Sequence, residues 1–217
     1  MISFSRQVLP ELLDALPHDD PAAIQSREEL HFINQIMGNH RWICRTLHQR
    51  EHKHERILEL GAGDGSLARH AWRAGVASPE QWSALDLAPA PVDWPSDAIW
   101  YQGDLFARPV LPDAEIVVAN LFLHHFENDS LQRLGARLPE TCRLFIACEP
   151  ARRRLHSLQG HLLSALVDLG PVTHHDMLVS IQAGFLHDEL SRALGLKDWQ
   201  TRVSTTAMGA YRFAAWR

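Results

Sequence analysis

A chain of 217 residues, 46% of them hydrophobic, is long enough to bury one good core and short for two. Its formal charge of -5 and pI near 6.3 give no overall attraction to phosphate backbones or anionic membranes, so nucleic acid is not an expected partner. The widely spaced Cys44, Cys142 and Cys148 fit no metal-ligand pattern and read as buried thiols of a cytoplasmic protein; no signal-like leader is expected, and no run approaches the ~18 apolar residues of a membrane helix.

In chain order, the leading segment is predicted helical. Ser26 and Glu29 have capping-box spacing, and Leu30, Ile33, Met37, Cys44 and Leu47 recur near the helical period. From Arg56 the rhythm changes to short apolar runs alternating with helix-like segments. Strands are predicted at 57–60, 82–87, 98–102, 115–120 and 143–148, and helices at 66–74, 129–138 and 152–169. A helical stretch, too long for one crossover helix, continues to about residue 197. "DWQTRVSTT" and "AYRFAAWR" then read as an antiparallel hairpin closing one sheet edge. This order predicts an α/β fold: a doubly wound, mainly parallel sheet with its binding crevice at the carboxyl ends of the strands. One domain is expected, divided into a helical segment (1–54), a core (55–150), a helical insertion (151–197) and the terminal hairpin (198–217).

"RILELGAGDGSLARH" joins the first predicted strand to a helix. Gly61, Gly63 and Gly65 let the main chain turn where a Cβ would collide with a ligand. The dinucleotide fingerprint needs a further glycine where this chain has Ser66, which counts against NAD or FAD. Glu59, just before the turn, would repel a pyrophosphate and attract an ammonium or sulfonium group. Asp86 closes the second strand, where a carboxylate can accept ribose hydroxyls, and Gly103 with Asp104 closes the third.

"ILELGAGDGSLA", "ALDL", "GDLF", "VVANLFLHHF" and "RLFIACEP" resemble, in order and spacing, the class I S-adenosylmethionine-dependent methyltransferases. The resemblance covers roughly residues 56–150 and implies a Rossmann-like seven-stranded sheet with a helical lid before the final hairpin. By this likeness, Glu59, Gly61, Gly63 and Gly65 shape a methionine pocket, Asp86 beside Leu87 holds the ribose, and Gly103, Asp104 and Leu105 meet the adenine. Asn120 and Leu121 face the methyl-donor centre, and Arg41 is placed to pair with the methionine carboxylate. "NQIMGNHRW", "EPARRRLHSLQGHLL" and "VTHHDMLVSIQAGF" further resemble a bacterial subgroup linked to polyketide-like or aryl lipid biosynthesis.

Methyl transfer to a phenol benefits from a base, and histidine suits that role near neutral pH. His124 and His125 follow the fourth strand. His174 and His175 precede Asp176, which has capping-box spacing from Thr173, so both histidines are expected in a first helical turn, where the dipole disfavours their charge. His175 joins His124 and His125 as a candidate base. The expectation is O-methylation of a small, aromatic, hydroxyl-bearing molecule, with no metal and no membrane insertion. Methylation of carbon or a carboxylate, and a nonenzymatic S-adenosylmethionine-binding subunit, are its rivals; oligomeric state is left open.

Overall fold

The computed structural model describes residues 5–17, 19–49 and 55–217. A single helical turn, α1 (Leu12–Ala15), leads into α2 (Pro21–Met37) and α3 (Asn39–His48). The core follows as β1 (Ile57–Leu60), α4 (Ser66–Arg73), β2 (Trp82–Asp86), β3 (Ile99–Gln102), β4 (Ile116–Asn120), α5 (Asn128–Ala136) and β5 (Leu144–Pro150). Three helices, α6 (Arg154–Val167), α7 (Pro171–Ala183) and α8 (Glu189–Leu194), precede β6 (Gln200–Thr205) and β7 (Ala210–Trp216).

The strands lie in the order β3-β2-β1-β4-β5-β7-β6, parallel except that β7 runs against both neighbours. The expected doubly wound sheet with its antiparallel hairpin is therefore present. Every residue of β1 and β5 is buried, as parallel strands covered on both faces require. Alternation divides the core: Leu58, Leu60, Val117 and Phe145 face one layer, and Ile57, Ile116, Val118 and Ile146 the other. Chain order reverses between β1 and β4, and the crevice opens beyond their carboxyl ends.

Both predicted capping boxes are corrected. α2 begins earlier, at Pro21, where Asp20 accepts the Ala22 N–H at 2.8 Å. Ser26 is buried and accepts the Thr173 hydroxyl at 2.9 Å, while Glu29 accepts the Gly170 N–H at 3.1 Å. Likewise α7 begins at Pro171, so His174 closes its first turn and His175 lies past it. Asp176 caps a different helix, accepting the N–H groups of Leu12 and Leu13 at 2.7 and 2.9 Å. These four side chains pin α1 and α2 onto α7. The predicted helix over 152–169 is shorter at both ends; on it Leu155, Leu158 and Leu166 are exposed, while the side chain of Leu162 is outside the described residues. All three cysteines are buried thiols. Among the described residues, no helix is long and apolar enough to cross a membrane.

Candidate functional site

A cavity of about 930 Å³ occupies the crevice, roofed by α1, α2, α6 and α7. Its upper walls are apolar, with Ile33, Ile36 and Met37 from α2, Leu163 from α6, and Met177 and Ile181 from α7. That composition suits a hydrophobic ligand fixed by a few polar groups. Those groups sit at two ends.

One end is the glycine turn, and its glycines serve different purposes. A Cβ on Gly61 would lie 2.1 Å from the Phe122 ring, and one on Gly65 would lie 2.5 Å from Trp94. These two admit the protein's own aromatics. Gly63 alone of the three, with φ +59°, has nothing within 4 Å of a built Cβ and lines the cavity. Asp86 holds this turn in place, accepting the Gly63 N–H at 2.7 Å and the Ala88 N–H at 2.8 Å. Each carboxylate oxygen retains a second acceptor position for a ligand hydroxyl.

Glu59 lines the cavity under the turn and is 2% exposed. Its Oε2 accepts the Trp82 indole N–H at 2.9 Å. Burial pushes its carboxyl up to about 8; the Trp82 hydrogen bond opposes this, whereas Asp86 and Asp64 reinforce it. The free protein therefore holds Glu59 largely protonated at pH 7, and a nearby cation would favour its ionised form. His40 also lines the cavity, with its imidazole pushed down to about 4 by burial and by His70 and His31.

The other end is built on the 3-10 turn Leu123–His125 after β4. Glu149, fully buried on β5, accepts the N–H groups of Phe122, Leu123 and His124 at 3.1, 2.9 and 3.3 Å. The same carboxylate lies 2.6 Å from His124 Nδ1, and Glu11 Oε1 lies 3.4 Å from His124 Nε2. Burial opposes a charge on His124, but the hydrogen bonds to Glu11 and Glu149 outweigh it and raise the imidazole to about 9. As a cation between two carboxylates, His124 is a poor base at neutral pH. His125 differs: burial and the His124 charge both lower its value, leaving it neutral. Its Nδ1 faces Asp14 Oδ2 at 4.0 Å.

Of the sequence-predicted site residues, Glu59, Gly61, Gly63, Asn120, Leu121, His124 and His125 line the cavity. Asn120 donates to Asn34 Oδ1 at 3.4 Å, and its buried Oδ1 has no partner among the described residues. Leu121 adopts φ +52°, a strained backbone for a side-chain-bearing residue, beside the crevice. Gly65, Asp86, Leu87, Gly103 and Asp104 are not among the lining residues; Asp104 accepts the Phe106 N–H at 2.7 Å, and Leu87 is 73% exposed. Leu105 is buried in the core. Arg41 lines an adjoining cavity of about 330 Å³ with Arg69 and Arg73. His175 lies outside both linings, 2.9 Å from Asp176. Sequence reading missed Glu11, Asp14 and His156, all lining the cavity; the first two carry no local motif and arrive there only through packing.

No protein-family model and no curated protein matches the chain. Solved structures do. The plantazolicin methyltransferase BpumL, in complex with a triazolic desmethylPZN analog and SAH, superposes with TM-score 0.67 at 11% identity, covering 94% of this chain and 93% of that one. The pyocyanin biosynthetic protein PhzM gives 0.63 at 16% identity over 96% of this chain and 62% of its own. Human N-acetylserotonin methyltransferase in complex with SAM gives 0.57 at 18%, over 94% and 61%. The chain thus spans less than two thirds of the last two. These likenesses show the fold: a Rossmann-like methyltransferase architecture with a final antiparallel hairpin.

Proposed function

We propose that this chain is an S-adenosylmethionine-dependent methyltransferase acting on an oxygen of a small, hydrophobic, aromatic molecule. The observation that carries this reading is Glu59: a buried, protonated carboxyl facing a cavity beside an open backbone turn, with burial and two neighbouring carboxylates outweighing the pull of Arg69 toward ionisation. The neighbouring structures support it, since BpumL was solved with SAH and N-acetylserotonin methyltransferase with SAM. When bound, S-adenosylmethionine supplies a methyl group already activated on a sulfonium.

The chain's own residues would do the rest. Gly63 lets the cofactor approach the backbone, Asp86 offers its free acceptor positions to the ribose, and Asn120 presents an unpartnered amide oxygen near the reacting centre. Ile33, Met37, Leu163 and Met177 exclude water and favour an apolar acceptor. His125, neutral and facing the cavity, would accept the acceptor's hydroxyl proton, while His124 keeps the adjacent turn rigid. The narrower resemblance to enzymes of polyketide-like or aryl lipid biosynthesis accords with this apolar cavity. Calorimetric titration with S-adenosylhomocysteine and, separately, NAD tests the cofactor: micromolar binding of the first alone, weakened at least about tenfold by Asp86→Ala, is expected. Preference for NAD would overturn it.

A further inference from the structure

We propose that Glu11, His124 and His125 form a binding site for a divalent transition-metal ion in the wall of the large cavity. One donor atom from each residue lies within 4.8 Å of the others. Glu11 Oε1 and His124 Nε2 are 3.4 Å apart, close to the edge of a tetrahedron with metal bonds of about 2.0–2.1 Å.

The surroundings orient these donors. With Glu149 holding the Nδ1 proton at 2.6 Å, His124 directs Nε2 toward Glu11, and an entering ion displaces the Nε2 proton to water, leaving the carboxylate-histidine-metal arrangement in which a second carboxylate fixes the ligand's tautomer. Glu149 is itself fixed by three backbone N–H groups. The Ser180 hydroxyl donates to Glu11 Oε1, and Asp14 lies beside His125. Two imidazoles and one carboxylate favour zinc, ferrous, manganous or cobaltous ions over magnesium or calcium, which prefer oxygen donors.

Three protein ligands leave coordination positions open, and all three line the cavity. Binding of the ion stands apart from the methyl-transfer reading; its use there rests on that reading. An acceptor hydroxyl on an open position would release its proton to water at a lower pH than when free, and the ion would take over from His125 the task of lowering the acceptor's proton affinity.

The test uses untagged, chelator-stripped full-length protein titrated with Co²⁺, followed by visible d–d absorption, and with Zn²⁺ by calorimetry, with Mg²⁺ as the comparison ion. The expected result is one equivalent of Co²⁺ or Zn²⁺ with coloured, low-symmetry Co²⁺, at least about tenfold weaker in Glu11→Gln and His125→Gln. Binding should persist in His161→Gln/His174→Gln, which removes a second histidine pair whose ring nitrogens are 3.2 Å apart. No binding, or binding kept in Glu11→Gln and His125→Gln but lost in the double variant, would overturn the site. S-adenosylhomocysteine titrated into the same metal-free proteins checks that each variant is folded. Loss of that binding in wild type with the metal site intact would instead sink the methyltransferase reading.

Discussion

Glu59 and Glu149 are both buried carboxyls near the carboxyl ends of parallel strands of one sheet, and both line or support the same cavity. Glu149 is surrounded by three amide N–H groups and an imidazole, so its acceptor positions are filled by the protein. Glu59 has one indole N–H and two carboxylates nearby, with Arg69 the weakest of the charges that act on it. A saturated buried acid is architecture, and an undersupplied one at a cavity wall marks where a ligand belongs.

The sharpest way to break this contrast is to neutralise each acid in turn. Glu149→Gln leaves a buried imidazolium facing Glu11 alone and should cost about 3–5 kcal/mol in urea denaturation. Glu59→Gln should change stability by no more than about 1 kcal/mol, since the native carboxyl is already largely protonated, yet weaken S-adenosylmethionine binding at least about tenfold. Equal stability losses would erase the distinction.

The glycines sharpen it next. Gly61→Ala must displace Phe122 and strain a backbone at φ +65°, so a loss of about 3 kcal/mol is expected in thermal or chemical unfolding. Gly63→Ala meets no neighbour and should cost only about 1 kcal/mol through its positive φ, while reducing cofactor affinity more than its stability loss accounts for.

The same acid also predicts a pH slope. A carboxyl that holds its proton more tightly folded than unfolded contributes stability that is fully present below 4.5 and lost as pH rises through about 8. Wild-type melting temperatures should therefore fall across that window more steeply than those of Glu59→Gln, and saturating S-adenosylmethionine should flatten the difference.

The glycine-turn end was legible in the sequence because its parts are local: strand, turn and Asp86 each sit at the end of a predictable element. Strand placement erred by only a residue or two. The histidine end was not legible, because Glu11 reaches His124 only after α1 docks on α7. The same non-local packing defeated both capping boxes: Ser26, Glu29, Thr173 and Asp176 have the right local spacing but spend their hydrogen bonds on another helix. Sequence also could not divide His124 from His125, adjacent residues whose opposite protonation follows from Glu11 and Glu149 hydrogen-bonding the first while the second takes only their weaker field.

The most direct test of the account is proton linkage: calorimetric binding of S-adenosylmethionine at pH 7 in two buffers of different ionisation enthalpy. If the cation ionises Glu59, wild type releases a proton on binding and Glu59→Gln does not. Absence of binding, or the same proton count in both proteins, would contradict the assignment of Glu59 as the acid that receives the cofactor.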